Sequence, residues 1–95
     1  MAIEVRNNED DARYEAVLDG EMAGFAAYRL SAGRVVFTHT EVAPQAEGKG
    51  VASTLIRWAL DDVRRQGKGI VPLCPFVRGY LDKHPEYADL VAAHS

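Results

Sequence analysis

Up to Val42 the apolar positions recur mostly at every second residue, and beyond Pro44 they recur at about every 3.6. The first spacing puts alternate side chains on one face of a strand, and the second puts them on one stripe of a helix. Ile3 to Arg6, Arg13 to Asp19, Met22 to Leu30 and Arg34 to Val42 therefore read as four strands. Gly20-Glu21 and Ser31-Ala32-Gly33 supply turn residues between runs, which predicts an antiparallel meander. From Val51 onward, Val51, Leu55, Ala59 and Val63 fall at i+4 steps with Ala52, Ile56 and Leu60 beside them, and Arg57, Asp61, Arg64 and Arg65 lie opposite. That is an amphipathic helix. Asp61 stands four residues from both Arg57 and Arg65, the cations Arg64, Arg65 and Lys68 suit the dipole of the last turn, and Gly67 ends it as a left-handed cap. Ile70 to Leu73 is short enough for a buried strand, Pro75 breaks it, and Phe76 to His84 forms a second helix. Pro85 ends that one, which leaves Glu86 to Ala93 as a short final helix with Trp58, Tyr28 and Phe25 assigned to core packing.

No repeat, low-complexity tract or linker interrupts the chain, so residues 1–95 read as one domain. At 47% hydrophobic and 26% charged, the composition is that of a folded globular chain and excludes disordered and collagenous classes. No apolar run approaches the roughly 20 residues that span a bilayer, and the first residues carry acids where a signal peptide is basic and then apolar. A cytoplasmic protein without membrane contact is expected. Cys74, the single cysteine, can form neither an intramolecular disulfide nor a cysteine-rich metal site, and no metal is expected.

Eleven basic and fourteen acidic residues give a net charge of -3, which argues against a nucleic-acid partner. The distribution is uneven. Residues 1–47 hold four bases and nine acids, net -5, so residues 48–95 hold the other seven bases and five acids, net +2. This suits a protein that meets a cationic partner on one side and holds an anionic ligand on the other, although solvated charge on a small domain explains it equally well.

Between the fourth strand and the long helix runs Val42-Ala-Pro-Gln-Ala-Glu-Gly-Lys-Gly-Val-Ala-Ser-Thr-Leu-Ile56. Two glycines permit a turn that aims free backbone N–H groups at one spot, where the helix dipole adds partial positive charge. Lys49 opposes that dipole unless something negative sits nearby. Val42, Pro44, Gly48-Lys49-Gly50-Val51-Ala52 and Leu55 resemble the acetyl-CoA signature of the GNAT superfamily of N-acetyltransferases. Its Gln/Arg-x-x-Gly-x-Gly/Ala turn maps onto Glu47, Gly48, Lys49, Gly50, Val51 and Ala52. Pro72-Leu-Cys-Pro-Phe-Val77 and Tyr80 to Tyr87 resemble a branch of very small, single-domain members.

The resemblance implies an α+β fold: a meander of four antiparallel strands, a helix that holds the coenzyme A pyrophosphate, a fifth strand parallel to the fourth, and terminal helices. It also implies that the fourth and fifth strands splay apart around the pantetheine arm. Two departures stand out. Glu47 replaces the Gln or Arg of the motif and cannot donate to a phosphate, so its side chain is expected to turn outward. The family's Asn and the acid Tyr seven residues later fall on Cys74 and Leu81, with Tyr80 one residue from the acid position.

Acetyl transfer to an amine needs a base for its proton and donors for the developing oxyanion. Alternation places Phe37, His39 and Glu41 on one strand face, where His39 suits the base and Glu41 could orient it or hold a cationic acceptor. An ordinary hydrogen-bonded strand histidine accounts for His39 as well. Cys74 is a nucleophile, a pocket residue or a small core hydrophobe. The expected function is direct acetyl transfer from acetyl-CoA to an amine on a protein, peptide or polyamine. The resemblance further implies that helices and strands walling the acceptor site in ordinary members are absent, which leaves that site open. A coenzyme A-binding module with little catalysis is the alternative.

Overall fold

The computed structural model describes residues 2–92. Strands β1 (Ile3–Asn8), β2 (Arg13–Leu18), β3 (Glu21–Ser31), β4 (Arg34–Val42) and β5 (Gly69–Pro72) form one sheet in chain order. The first four pair antiparallel, and β5 joins β4 in parallel. Asp19-Gly20 and Ala32-Gly33 close the two tight hairpins with both residues at positive φ, the type I′ geometry whose twist matches paired strands. A parallel join needs a crossover, and helix α1 (Val51–Arg65) supplies it.

The apolar stripe of α1 is buried from Val51 through Leu55, Ile56, Ala59 and Leu60 to Val63. It packs in one core with Tyr14, Ala16, Ala26, Phe37 and Ile70 of the sheet. Each leucine or isoleucine removed from water in this way contributes roughly 1.5–3 kcal/mol, so α1 is the main clamp on the sheet. Gly67, at φ +70°, ends it: its N–H donates to the Arg64 carbonyl and that of Lys68 to Val63, a Schellman cap. Helix α2 (Pro75–Lys83) opens on a proline at its first position and buries Val77 and Tyr80.

Four expectations need correction. The first strand extends beyond Arg6, because Asn7 and Asn8 pair with Tyr14 and Arg13, and Asn7 Oδ1 accepts the Tyr28 hydroxyl at 2.6 Å. The single helix expected over Glu86 to Ala93 is instead a 3₁₀ turn, Pro85–Tyr87, followed by α3 (Asp89–Ala92), with Ala93 outside the described residues. That break lets the Tyr87 hydroxyl donate to Asp61 at 2.7 Å and lets Arg64 grip Asp89 at 2.8 and 3.0 Å. Asp61 is thereby engaged with Tyr87, while Arg65 takes Asp62 at 3.3 Å. Phe25 lies outside the core, half-buried with the Arg13 guanidinium 5.0 Å over its ring. Trp58 does pack on the core, edge-on to Tyr14.

All three helices follow β4, and α1 covers one face of the sheet. The opposite face carries Arg6, Arg13, Glu15, Phe25, His39 and Glu41, as their cross-strand pairings require. Glu15 is only 1% exposed there, yet it accepts hydrogen bonds from Arg6 at 2.8 Å, Arg13 at 2.7 Å and Asn8 at 3.1 Å. Burial pushes its carboxyl up, but the bonds from Arg6, Arg13 and Asn8 prevail and hold it below the ordinary value. No helix among the described residues is long and apolar enough to cross a membrane.

Candidate active site

The turn into α1 leaves a run of backbone donors without partners among the described residues. Gly48 and Gly50 sit at φ +79° and +76°, and a Cβ on either would meet nothing within 4 Å. The glycines thus serve the backbone conformation and leave open space before it. Thr54 makes the first bond of the helix, to the Gly50 carbonyl, and α1 has no side-chain cap. Among the described residues, none of the six N–H groups from Gly48 to Ser53 donates to a backbone or side-chain acceptor. Val51 is buried, Ala52 and Val42 are half-buried, and Lys49 and Glu47 are exposed.

Thr38 is an extra residue in β4: Ala27 pairs with His39, and the next residue, Tyr28, pairs with Phe37. This bulge reverses the alternation. Phe37 is buried in the core, whereas His39 and Glu41 project together from the open face, so the expected grouping of all three on one face is corrected. His39 Nε2 lies 3.2 Å from Glu41 Oε1, with both side chains about 60% exposed.

The pairing of β4 with β5 ends at Phe37, whose carbonyl accepts the N–H groups of both Leu73 and Cys74. Beyond that point β4 has no strand partner on that side, while the chain after Cys74 turns into α2. Cys74 stands at the fork. It is buried, and its Sγ lies 3.3 Å from Thr40 Oγ1. Burial pushes the thiol up, but the Thr40 hydroxyl and the backbone N–H groups of Val77 and Phe76 outweigh it, so the net shift is downward.

Tyr80 belongs to different surroundings. Its ring stacks on His84 with centroids 4.0 Å apart, and it lines a groove between α1 and α2. Burial raises its phenol. Sequence reasoning missed Thr40, the partner of Cys74, and the groove residues Arg57, Lys83 and His84. Thr40 carried a signal in principle, being a polar residue inside an apolar strand. The groove carried none, because it depends on how α2 lies against α1.

A glycine turn with six free donors, leading from a strand that forks away from its parallel neighbour, is the arrangement expected of an N-acetyltransferase fold. Residues 13–90 match the family described as GCN5-related N-acetyl-transferase, and the chain belongs to that family. Over 53 residues, 54% of its length, it is 45% identical to a streptothricin acetyltransferase of Streptomyces lavendulae. It spans 28% of that relative. Three solved structures share the fold. A GCN5-like putative N-acetyltransferase from Staphylococcus aureus superposes with a TM-score of 0.70 at 20% identity, over 92% of this chain and 85% of the other. The ribosomal-protein-S18-alanine N-acetyltransferase from Escherichia coli gives 0.58 at 19% identity, over 61% and 38%. A nourseothricin acetyltransferase gives 0.52 at 24% identity, over 72% and 55%. These likenesses bear out the α+β fold with β5 parallel to β4.

Proposed function

We propose that the protein transfers an acetyl group from acetyl-CoA directly to a cationic amine. The observation that carries this reading is the run of six N–H groups from Gly48 to Ser53 that lack acceptors among the described residues, with open space beside Gly48 and Gly50 at the head of α1. A diphosphate supplies the acceptors that such a run lacks, and the helix dipole and Lys49 add attraction. Val42, Val51 and Ala52 shape the backbone of this cradle, and Glu47 stays clear of it. When bound, acetyl-CoA supplies an activated acetyl thioester, and the fork between β4 and β5 offers the opening for it.

His39 acts as the base. With Nε2 directed at Glu41, Nδ1 is left to take a proton from the acceptor's ammonium, so that the neutral amine attacks the thioester carbonyl, the C–N bond forms as the C–S bond breaks, and coenzyme A leaves as its thiolate. Glu41 orients the ring and adds negative charge beside the incoming cation. Next to it Met22, Phe25 and Val42 floor an open depression of about 420 Å³, a resting place for the acceptor's stem. Cys74, 4% exposed, shapes the fork and leaves covalent work to none of these residues. Tyr80, raised by burial, stays protonated and serves the groove wall; a role for it as general acid finds no support in that position.

The acceptor follows from charge. Glu15 is neutralised by Arg6 and Arg13, yet the other eight acids of residues 1–47 are all exposed against two remaining arginines. Such a surface draws polycations, whether lysine-rich proteins, peptides or polyamines. Relatives are named for streptothricin in one case and for the alanine of a ribosomal protein in another, so the shared fold does not fix the acceptor. Membrane and nucleic-acid partners are not part of the proposal, and a cytoplasmic setting fits a coenzyme A-dependent reaction.

The test is turnover. Acetyl-CoA with a lysine-rich peptide, spermidine or a neutral amine, followed by mass spectrometry, should show faster acetylation of the cations. That preference should shrink as salt rises, since the screening length is about 8 Å near physiological ionic strength. Binding of acetyl-CoA without any acetylated product would establish a coenzyme A-binding module instead.

A further inference from the structure

Resting on the coenzyme A reading above, we propose that the groove between α1 and α2 reads the 3′-phosphate and purine at the adenosine end of the coenzyme, so that the protein distinguishes coenzyme A from its dephosphorylated form. Ser53 carries the last free N–H of the cradle, and it is also the first wall of the groove. A ligand whose diphosphate rests on Gly48 to Ser53 and whose thioester arm enters the fork beside Cys74 must lay its other end elsewhere. The groove opens from the same helix turn.

The chemistry of the groove suits that end. Arg57 from α1 and Lys83 from α2 line adjoining depressions of about 150 and 310 Å³ that share Ser53, Tyr80 and His84. The larger is at the small end of ligand clefts, which run from roughly 300 to 1,000 Å³. Neither cation makes an ion pair among the described residues. The nearby acids face other partners: Asp61 accepts the neutral Tyr87 hydroxyl at 2.7 Å, and a Glu86 oxygen lies 3.5 Å from His84 Nδ1. Arg57 and Lys83 are therefore without a carboxylate partner among the described residues, although Asp61 and Glu86 keep their own charge nearby. Flat surfaces accompany the two cations. Phe76 is 40% exposed in the groove, and the His84 ring is held in a stack on buried Tyr80. A purine finds rings to lie on and its attached phosphate finds two cations.

The experiment measures calorimetric affinity for coenzyme A and for 3′-dephospho-coenzyme A. Two exposed charge contacts amount to roughly fivefold or more, so the wild-type protein should prefer coenzyme A by at least that factor. In the double variant Arg57→Gln/Lys83→Gln the preference should fall below about twofold, while affinity for the dephosphorylated form, which also reports that the variant is folded, stays as in the wild type. Phe76→Ala should weaken both ligands alike. Equal affinity of the wild type for the two ligands, or a preference that survives the double variant, overturns this inference and leaves the cradle intact. Binding of neither ligand overturns the coenzyme reading beneath it.

Discussion

Replacing Gly50 by aspartate sets a carboxylate where the diphosphate is proposed to rest. Gly50 sits at φ +76°, and a Cβ there meets nothing within 4 Å, so the cost to the fold comes from backbone conformation alone. For an L residue that is about 1–2 kcal/mol, less for Asp and Asn, which tolerate the left-handed region. In a domain of this size each kcal/mol lowers the melting temperature by roughly 4–8 °C, so the variant stays folded at room temperature. The effect on binding is larger. At about 5 Å, two like unit charges repel by roughly 0.8 kcal/mol in bulk water and about 3 kcal/mol at the effective dielectric near a protein surface. A solvent-open cradle lies between these, which predicts a loss of about 10- to 100-fold in acetyl-CoA affinity. Gly50→Asn is the control, since it shares the backbone cost and lacks the charge. Calorimetric titration of both variants, with melting curves to show that each is folded, makes the comparison. If the aspartate variant binds acetyl-CoA within about twofold of the asparagine variant, the turn does not hold the phosphates and the reasoning fails.

The remaining expectations concern the chemistry and the open face of the sheet. His39→Ala should lower kcat by roughly 10² or more while acetyl-CoA affinity holds, and an unchanged rate removes it from the mechanism. Cys74→Ala should keep measurable turnover, and the wild-type protein incubated with acetyl-CoA should show no acetyl mark on Cys74 by mass spectrometry; a mark that passes on to the acceptor would establish a covalent route instead. Glu15→Gln should cost about 2 kcal/mol at neutral pH, after discounting the bond from mostly exposed Arg6, or a melting shift of about 8–16 °C. Because the folded carboxyl titrates below its ordinary value of 4.5, its contribution is present above that pH and is lost as pH falls through the lowered value, so wild-type and variant curves should converge in acid. A gap that persists undiminished to about pH 3 would refute the assignment of ionised Glu15.

The elements with a strong period were legible in the sequence. Both the stripe of α1 and the alternation of β2 to β4 report burial directly, and the glycines at 48, 50 and 67 mark left-handed backbone that few other residues adopt. The left-handed turn into α1 was therefore readable before any contact was known. What the sequence concealed depends on distance along the chain. Cys74 meets Thr40 across 34 residues, Tyr87 meets Asp61 across 26, and neither pairing follows from local pattern. The helix expected from Glu86 failed for the same reason: the pull of Tyr87 and Asp89 toward α1 outweighs the propensity of a short segment to continue a helix. His39 and Glu41 were placed together correctly because they lie two apart on the same side of Thr38, whereas Phe37 lies on the other side of it.

The bulge at Thr38 makes the length of β4 as consequential as its composition. Phe37 and Thr40 share the helix side although they stand three positions apart, and only the extra residue permits this. The side chain of Thr38 is exposed, so exchanging it for another polar residue disturbs little. Deleting it restores strict alternation with the faces kept: Phe37 and Thr40 still turn to the helix side and His39 and Glu41 to the open side. In a mutational library, deletion of the Thr38 codon should thus be tolerated better than single-codon deletions elsewhere in β4, which would invert the proposed catalytic face without changing any of its residues.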